Sequence, residues 1–89
     1  MFSKDLYIVC VSHHDVRDVK IDRYYDGDIY TLDILIQGYK KQLKGLNLQI
    51  SKFKDEAFID VINEDKMLET TYSIIKKSGF VTKPKAYKG

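Results

Sequence analysis

Tryptophan is absent from this 89-residue sequence, cysteine and proline occur once each, and glycine five times. One cysteine excludes an internal disulfide framework and any zinc site built on several thiolates. The scattered glycines make no loop of the kind that cradles phosphates, and a single proline makes no proline-rich linker. No apolar run approaches the roughly 18 residues that span a bilayer. The N-terminus also lacks the basic-then-apolar order of a secretory signal, so a cytoplasmic location without membrane contact is the expectation. What is present reads as a folded domain: 44% of residues are hydrophobic and 31% charged, a balance that argues against disorder. The length fits one domain, expected over residues 1–83, with residues 84–89 as a basic C-terminal tail.

The formal net charge of +2 hides a gradient. Residues 1–33 hold four basic and seven acidic groups, residues 34–69 balance at six each, and residues 70–89 carry five lysines and no acid. A basic end of this kind suits phosphates or an acidic partner, and equally a solvated helix end followed by a soluble tail. The heavy use of Lys, Ile, Tyr and Asp resembles that of products of AT-rich genomes. Small accessory proteins of bacterial viruses share it, which implies an inhibitor or adaptor encoded by a phage or mobile element.

Residues 5–12, Asp-Leu-Tyr-Ile-Val-Cys-Val-Ser, are β-branched and almost continuously apolar. That pattern suits a central strand covered on both faces, or covered on one and carrying a binding surface on the other. Residues 16–25 alternate more weakly and suit an edge strand or a long structured loop. Residues 28–44 offer two states. Asp26-Gly27 is a hairpin signal, which would lay this segment as a strand beside its upstream neighbour. At 100° per residue, however, Ile29, Leu32, Leu35, Ile36, Tyr39 and Leu43 share one arc, with only Ile34 misplaced. Asp28 fits an N-cap and Gly45 fits a position just beyond the C-cap, so a helix is expected.

Leu46, Leu48 and Ile50 then alternate with Asn47, Gln49 and Ser51, and Lys54-Asp55-Glu56 makes a polar turn before a returning strand over residues 57–62. A second helix is expected from Glu64-Asp65 to just before Gly79, with Met67, Leu68, Thr71, Ile74, Ile75 and Ser78 on one arc. Phe80 to Lys83 completes the order β-α-β-β-α-β. Right-handed crossovers turn that order into a four-stranded antiparallel sheet with two helices on one face, the α+β arrangement called ferredoxin-like. In this register Leu6, Ile8, Cys10, Leu48, Ile50, Ala57, Ile59 and Val61 lie under the helices. Tyr7 and Phe58 point to the open face.

Leu6-Tyr7-Ile8 resembles the start of the first-strand motif of RNA-recognition-motif domains, and Lys54 with Ala57-Phe58-Ile59 resembles the signature of their third strand. That resemblance implies base stacking on Tyr7 and Phe58, although Glu56 and Asp55 stand where an aromatic and a glycine are usual. The stretch Leu43–Thr82 is similar in rhythm to ACT-type ligand-binding and heavy-metal-associated domains, but the metal domains' Cys-x-x-Cys loop is missing.

Ser12-His13-His14-Asp15 follows the first strand. Imidazoles bind zinc, copper or nickel, yet adjacent histidines on extended backbone point opposite ways, so His13, His14 and Asp15 are weak metal candidates needing a further ligand. No catalytic constellation is evident. Ser12 has no glycine-framed turn around it, and the acids Asp15, Asp18, Asp22, Asp26 and Asp28 suit a solvated loop. The expectation is therefore a non-enzymatic protein without a cofactor.

Three functions remain. The first is a small regulatory protein that docks on a protein partner, or on a second copy of itself, through Tyr7, Tyr24, Tyr25, Tyr30 and Phe58, since tyrosine gives large contact area at low rotamer cost. The second is single-stranded nucleic-acid binding, with Tyr7 and Phe58 as platforms and Lys52, Lys54, Lys83 and Lys85 on phosphates. The third is a small-ligand or metal-ion site closed by the 13–28 loop.

Overall fold

The computed structural model describes residues 2–82, and side chains within residues 5–78. The chain runs β1 (Phe2–His13), β2 (Asp18–Asp26), α1 (Leu32–Gln42), β3 (Asn47–Phe53), β4 (Glu56–Ile62) and β5 (Leu68–Thr82). All five strands form one antiparallel sheet in the order β2-β1-β5-β4-β3. A β1–β2 hairpin and a β3–β4–β5 meander are thus joined along β1 and β5, and α1 carries the chain from one edge strand to the other. The ferredoxin-like expectation is overturned: there are five strands rather than four and, among the described residues, one helix rather than two.

The element responsible is residues 64–78. The sequence Leu68-Glu-Thr-Thr-Tyr-Ser-Ile-Ile is rich in β-branched and aromatic residues, which lose rotamer freedom in a helix and pack well on a pleated sheet. Its burial has period two: Thr70 and Ile74 are buried, with Tyr72 half-buried between them. The Glu64-Asp65 pair read as a helix start is instead a turn built by Asn63. The Asn63 side-chain oxygen accepts the backbone N–H of Asp65 at 2.9 Å and of Met67 at 3.0 Å.

Helix α1 holds its expected apolar arc, since Leu32, Leu35, Ile36, Tyr39 and Leu43 are buried and Ile34 is exposed. Its start lies later than Asp28. Thr31, extended at φ −106° and ψ 164°, is the N-cap, and its hydroxyl accepts the N–H of Ile34 at 3.2 Å. Ile29, expected on the buried arc, precedes the helix and is exposed. Gly27 donates its N–H to the Asp5 carbonyl at 2.9 Å. A Cβ there would sit 2.7 Å from that oxygen, so the close approach of the chain to β1 requires glycine.

The core lies between α1 and one sheet face: Val9 and Ile74 on the two central strands, Ala57, Ile59 and Val61 on β4, and the helical arc above them. The register of β1 is opposite to expectation. Tyr7 and Val9 are in this core, and Leu6, Ile8 and Cys10 face the other way. The reason is that residues 5–12 are apolar at both parities, so alternation alone cannot choose a face. The choice comes from the neighbours: Tyr7 and Val9 stand opposite Lys76 and Ile74, and Ile74 is itself opposite Ala57. On β3, Leu48 is half-buried as expected beneath the helix side, whereas Ile50 remains exposed.

Candidate functional site: the uncovered sheet face

Cross-strand partners share a face, so the registers define the side of the sheet away from α1. Leu6 stands opposite Asp26 and Lys77, Ile8 opposite Tyr24 and Ile75, and Cys10 opposite Ile21 and Ser73. Phe58 lies opposite Ser73 and Ser51. Ile8, Cys10, Phe58 and Ile75 are half-buried, while Tyr24 is 55% and Ile21 54% exposed. The result is an apolar band across β2, β1 and β5 that reaches Phe58 on β4.

One corner of this face is polar. Thr71 donates its hydroxyl hydrogen to Asp60 Oδ1 at 2.8 Å, and His14 Nε2 lies 2.9 Å from the same hydroxyl oxygen. Because that hydrogen is committed to the carboxylate, His14 donates from Nε2. His13 is directed to the helix side, where Nδ1 lies 3.4 Å from the Thr70 hydroxyl. The two histidines therefore diverge, His13 at the end of β1 and His14 in the turn that follows. Asp15, with His14, lines a hollow of about 330 Å³ bordered by Asn63, Met67, Leu68 and Glu69. Among the described residues no group of three or more His, Cys, Asp or Glu side chains could hold a metal ion.

The five tyrosine and phenylalanine candidates are divided between the faces. Tyr24 and Phe58 belong to the uncovered side. Tyr7, only 6% exposed, is a core residue. Tyr25 faces α1, and Tyr30 packs edge-on against it with ring centroids 4.9 Å apart. Tyr24 and Tyr25 lie in β2 and diverge to opposite faces, rather than sharing an adhesive loop.

On the helix side these rings build a hydrogen-bonded cluster. Tyr39, 3% exposed, donates to Asp22 Oδ2 at 2.5 Å, and the Tyr25 hydroxyl lies 3.1 Å away and donates to it in turn. Asp22 reaches inward because it is the extra residue of a β-bulge: Val9 pairs with Arg23 and Cys10 with Ile21. Burial, followed by the hydrogen bond to Asp22, pushes the Tyr39 phenol above its ordinary value. Tyr72 is raised by burial and by the Asp22 charge. This cluster fastens β2 to α1 and is structural in character.

The lysine candidates are similarly dispersed. Lys52 lies on the helix side, 2.9 Å from Asp33, and Lys54 sits in the β3–β4 turn 5.4 Å from the Phe53 ring. Lys83 and Lys85, with the rest of the expected tail, lie outside the described residues. A stacking platform of Tyr7 and Phe58 is excluded by their opposite faces. The 13–28 loop is mostly strand, because β2 occupies Asp18–Asp26 and pairs along β1.

The residues that sequence reading missed are Leu6, Ile8, Cys10, Ile21 and Ile75. Their signal was the double-sided apolar character of β1 together with the alternation in residues 70–75. Compared with known protein families, curated proteins and solved structures, the chain matches none. Among the described residues no helix is long and apolar enough to cross a membrane.

Proposed function

We propose that this is a small non-enzymatic binding protein that docks on a protein partner through the uncovered sheet face. The observation that carries the reading is the band formed by Tyr24, Ile21, Ile8, Cys10, Ile75 and Phe58, which runs from edge strand β2 across β1 and β5 to β4. Isolated exposed apolar residues are ordinary, but a contiguous band of this kind marks an interaction surface. Tyr24 is the anchor: an exposed ring with a polar tip, flanked by aliphatic neighbours, has the composition of an interface hot spot.

The test is affinity capture from the native host with nuclease treatment, using the unaltered chain and a Tyr24→Ala, Ile21→Asp double variant. Both positions are exposed, so the fold should survive. A protein retained by the unaltered chain after nuclease and lost by the double variant supports the proposal. Capture that disappears with nuclease, or that ignores the double variant, overturns it.

A further inference from the structure

The two edges of the sheet are unlike. Edge strand β2 carries the devices that block strand addition: a bulge at Asp22 and the charges Asp18, Lys20, Asp22 and Arg23. Edge strand β3 has almost none. Its register with β4 is unbroken from Asn47 to Phe53, it contains no proline, and its one charge, Lys52, is engaged by Asp33 of α1. Leu46 just before it, and Ile50 and Phe53 within it, are 53%, 37% and 67% exposed. Helix α1 packs chiefly on β4, so on the helix-side flank of β3 Leu48 is only half-buried and Ile50 remains exposed.

We propose that β3 pairs antiparallel with β3 of a second copy of this chain, about a two-fold axis at Ile50. The sequence is self-complementary in that register. Ile50 meets its own counterpart, Leu48 meets the partner's Lys52, and Gln49 meets the partner's Ser51, with no like charges opposed. The register keeps parity, so both helices lie on the same side of a continuous ten-stranded sheet. The two β4 strands are then about 14 Å apart, and the groove between the helices is floored by Leu48 and Ile50 from both copies. The two-fold also sets Asp33, in the acidic first turn of one helix, toward the Lys40 and Lys41 end of the other. A second copy therefore fits in both shape and charge. Seven residues of strand are only about 23 Å long, which makes a contact below the usual ~800 Å² per partner and a weak, concentration-dependent dimer.

This surface is separate from the uncovered face, and sedimentation velocity on the full chain distinguishes them over about 1–500 µM. The unaltered chain should pass from monomer to dimer. Ile50→Lys, which opposes two cations on the axis, should weaken dimerisation at least ~30-fold, and Val19→Lys on the β2 edge should leave it unchanged. Hydrogen exchange of the unaltered chain gives a readout that needs no variant: protection of β3 amides should rise with protein concentration. The inference is overturned by a monomer throughout the range, by a dimer that survives Ile50→Lys, or by a dimer lost in Tyr24→Lys but not in Ile50→Lys. Exchange in β3 that is independent of concentration overturns it as well.

Discussion

At the scale of single residues, the tyrosine cluster makes the sharpest statements. Tyr39 loses a proton from the folded state only at a pH above the value of an unfolded tyrosine, near 10. Above that value the unfolded chain binds fewer protons than the native one, so stability must fall as pH rises. Melting temperatures between about pH 9 and 11.5 should decline, and Tyr39→Phe should flatten the decline while costing about 1–2 kcal/mol near neutrality through the lost hydrogen bond to Asp22. Tyr72, raised in the same direction, keeps some of the slope in that variant. Lys54 makes the opposite kind of statement. It holds φ at 55° in the two-residue turn between β3 and β4, a conformation that strains any residue with a Cβ. Lys54→Gly should therefore stabilise the protein by about 0.5–1 kcal/mol despite the added freedom of the unfolded chain, a gain readable as a higher urea midpoint at constant slope.

At the scale of elements, α1 contains both a gain and a loss that substitution can expose. Gly38 is exposed, and a Cβ built on it meets nothing within 4 Å, so only its backbone entropy matters. Gly38→Ala should raise stability by about 1 kcal/mol, and Thr31→Ala should lower it by about 1 kcal/mol by removing the N-cap; thermal denaturation of each variant separates them. Helix α1 and β4 were legible because each has one buried side, so that period reports both type and orientation, and β3 because Leu48 and Ile50 alternate with Asn47, Gln49 and Ser51 although only Leu48 is half-buried. Strands β1 and β5 were legible only in part, for two physical reasons. Residues 5–12 are apolar on both faces, and the residues that choose between them, Ile74 and Ala57, are far away in sequence. In residues 68–78 the apolar positions satisfy a helical arc and a strand alternation together, and Thr70, Thr71 and Tyr72 were the composition signal that favoured the strand. The candidate site inherited these errors. Tyr7 moved into the core, and Ile8 and Cys10 moved out to the face where Tyr24 and Phe58 lie.

At the scale of the whole molecule, β5 is the element on which cohesion depends. It is the central strand of five, paired on one side with β1 and on the other with β4, and it unites a hairpin and a meander that otherwise share only α1. Ile74 stands opposite both Val9 and Ala57 and is fully buried. Truncation to alanine leaves a cavity between both halves of the sheet and the helix, which costs about 3–4 kcal/mol. A chain of this length holds only about 4–13 kcal/mol in all, so Ile74→Ala should lower the melting temperature by about 12 °C or more at roughly 4–8 °C per kcal/mol. The manner of unfolding is as informative as its midpoint. If β5 couples the two halves, far-ultraviolet circular dichroism and tyrosine fluorescence, which here has no tryptophan to obscure it, should trace one coincident transition in the variant as in the unaltered chain. Two separated transitions, with tyrosine fluorescence changing before the bulk of the sheet signal, would show that the β1–β2–α1 half melts on its own and that β5 is a seam rather than a keystone.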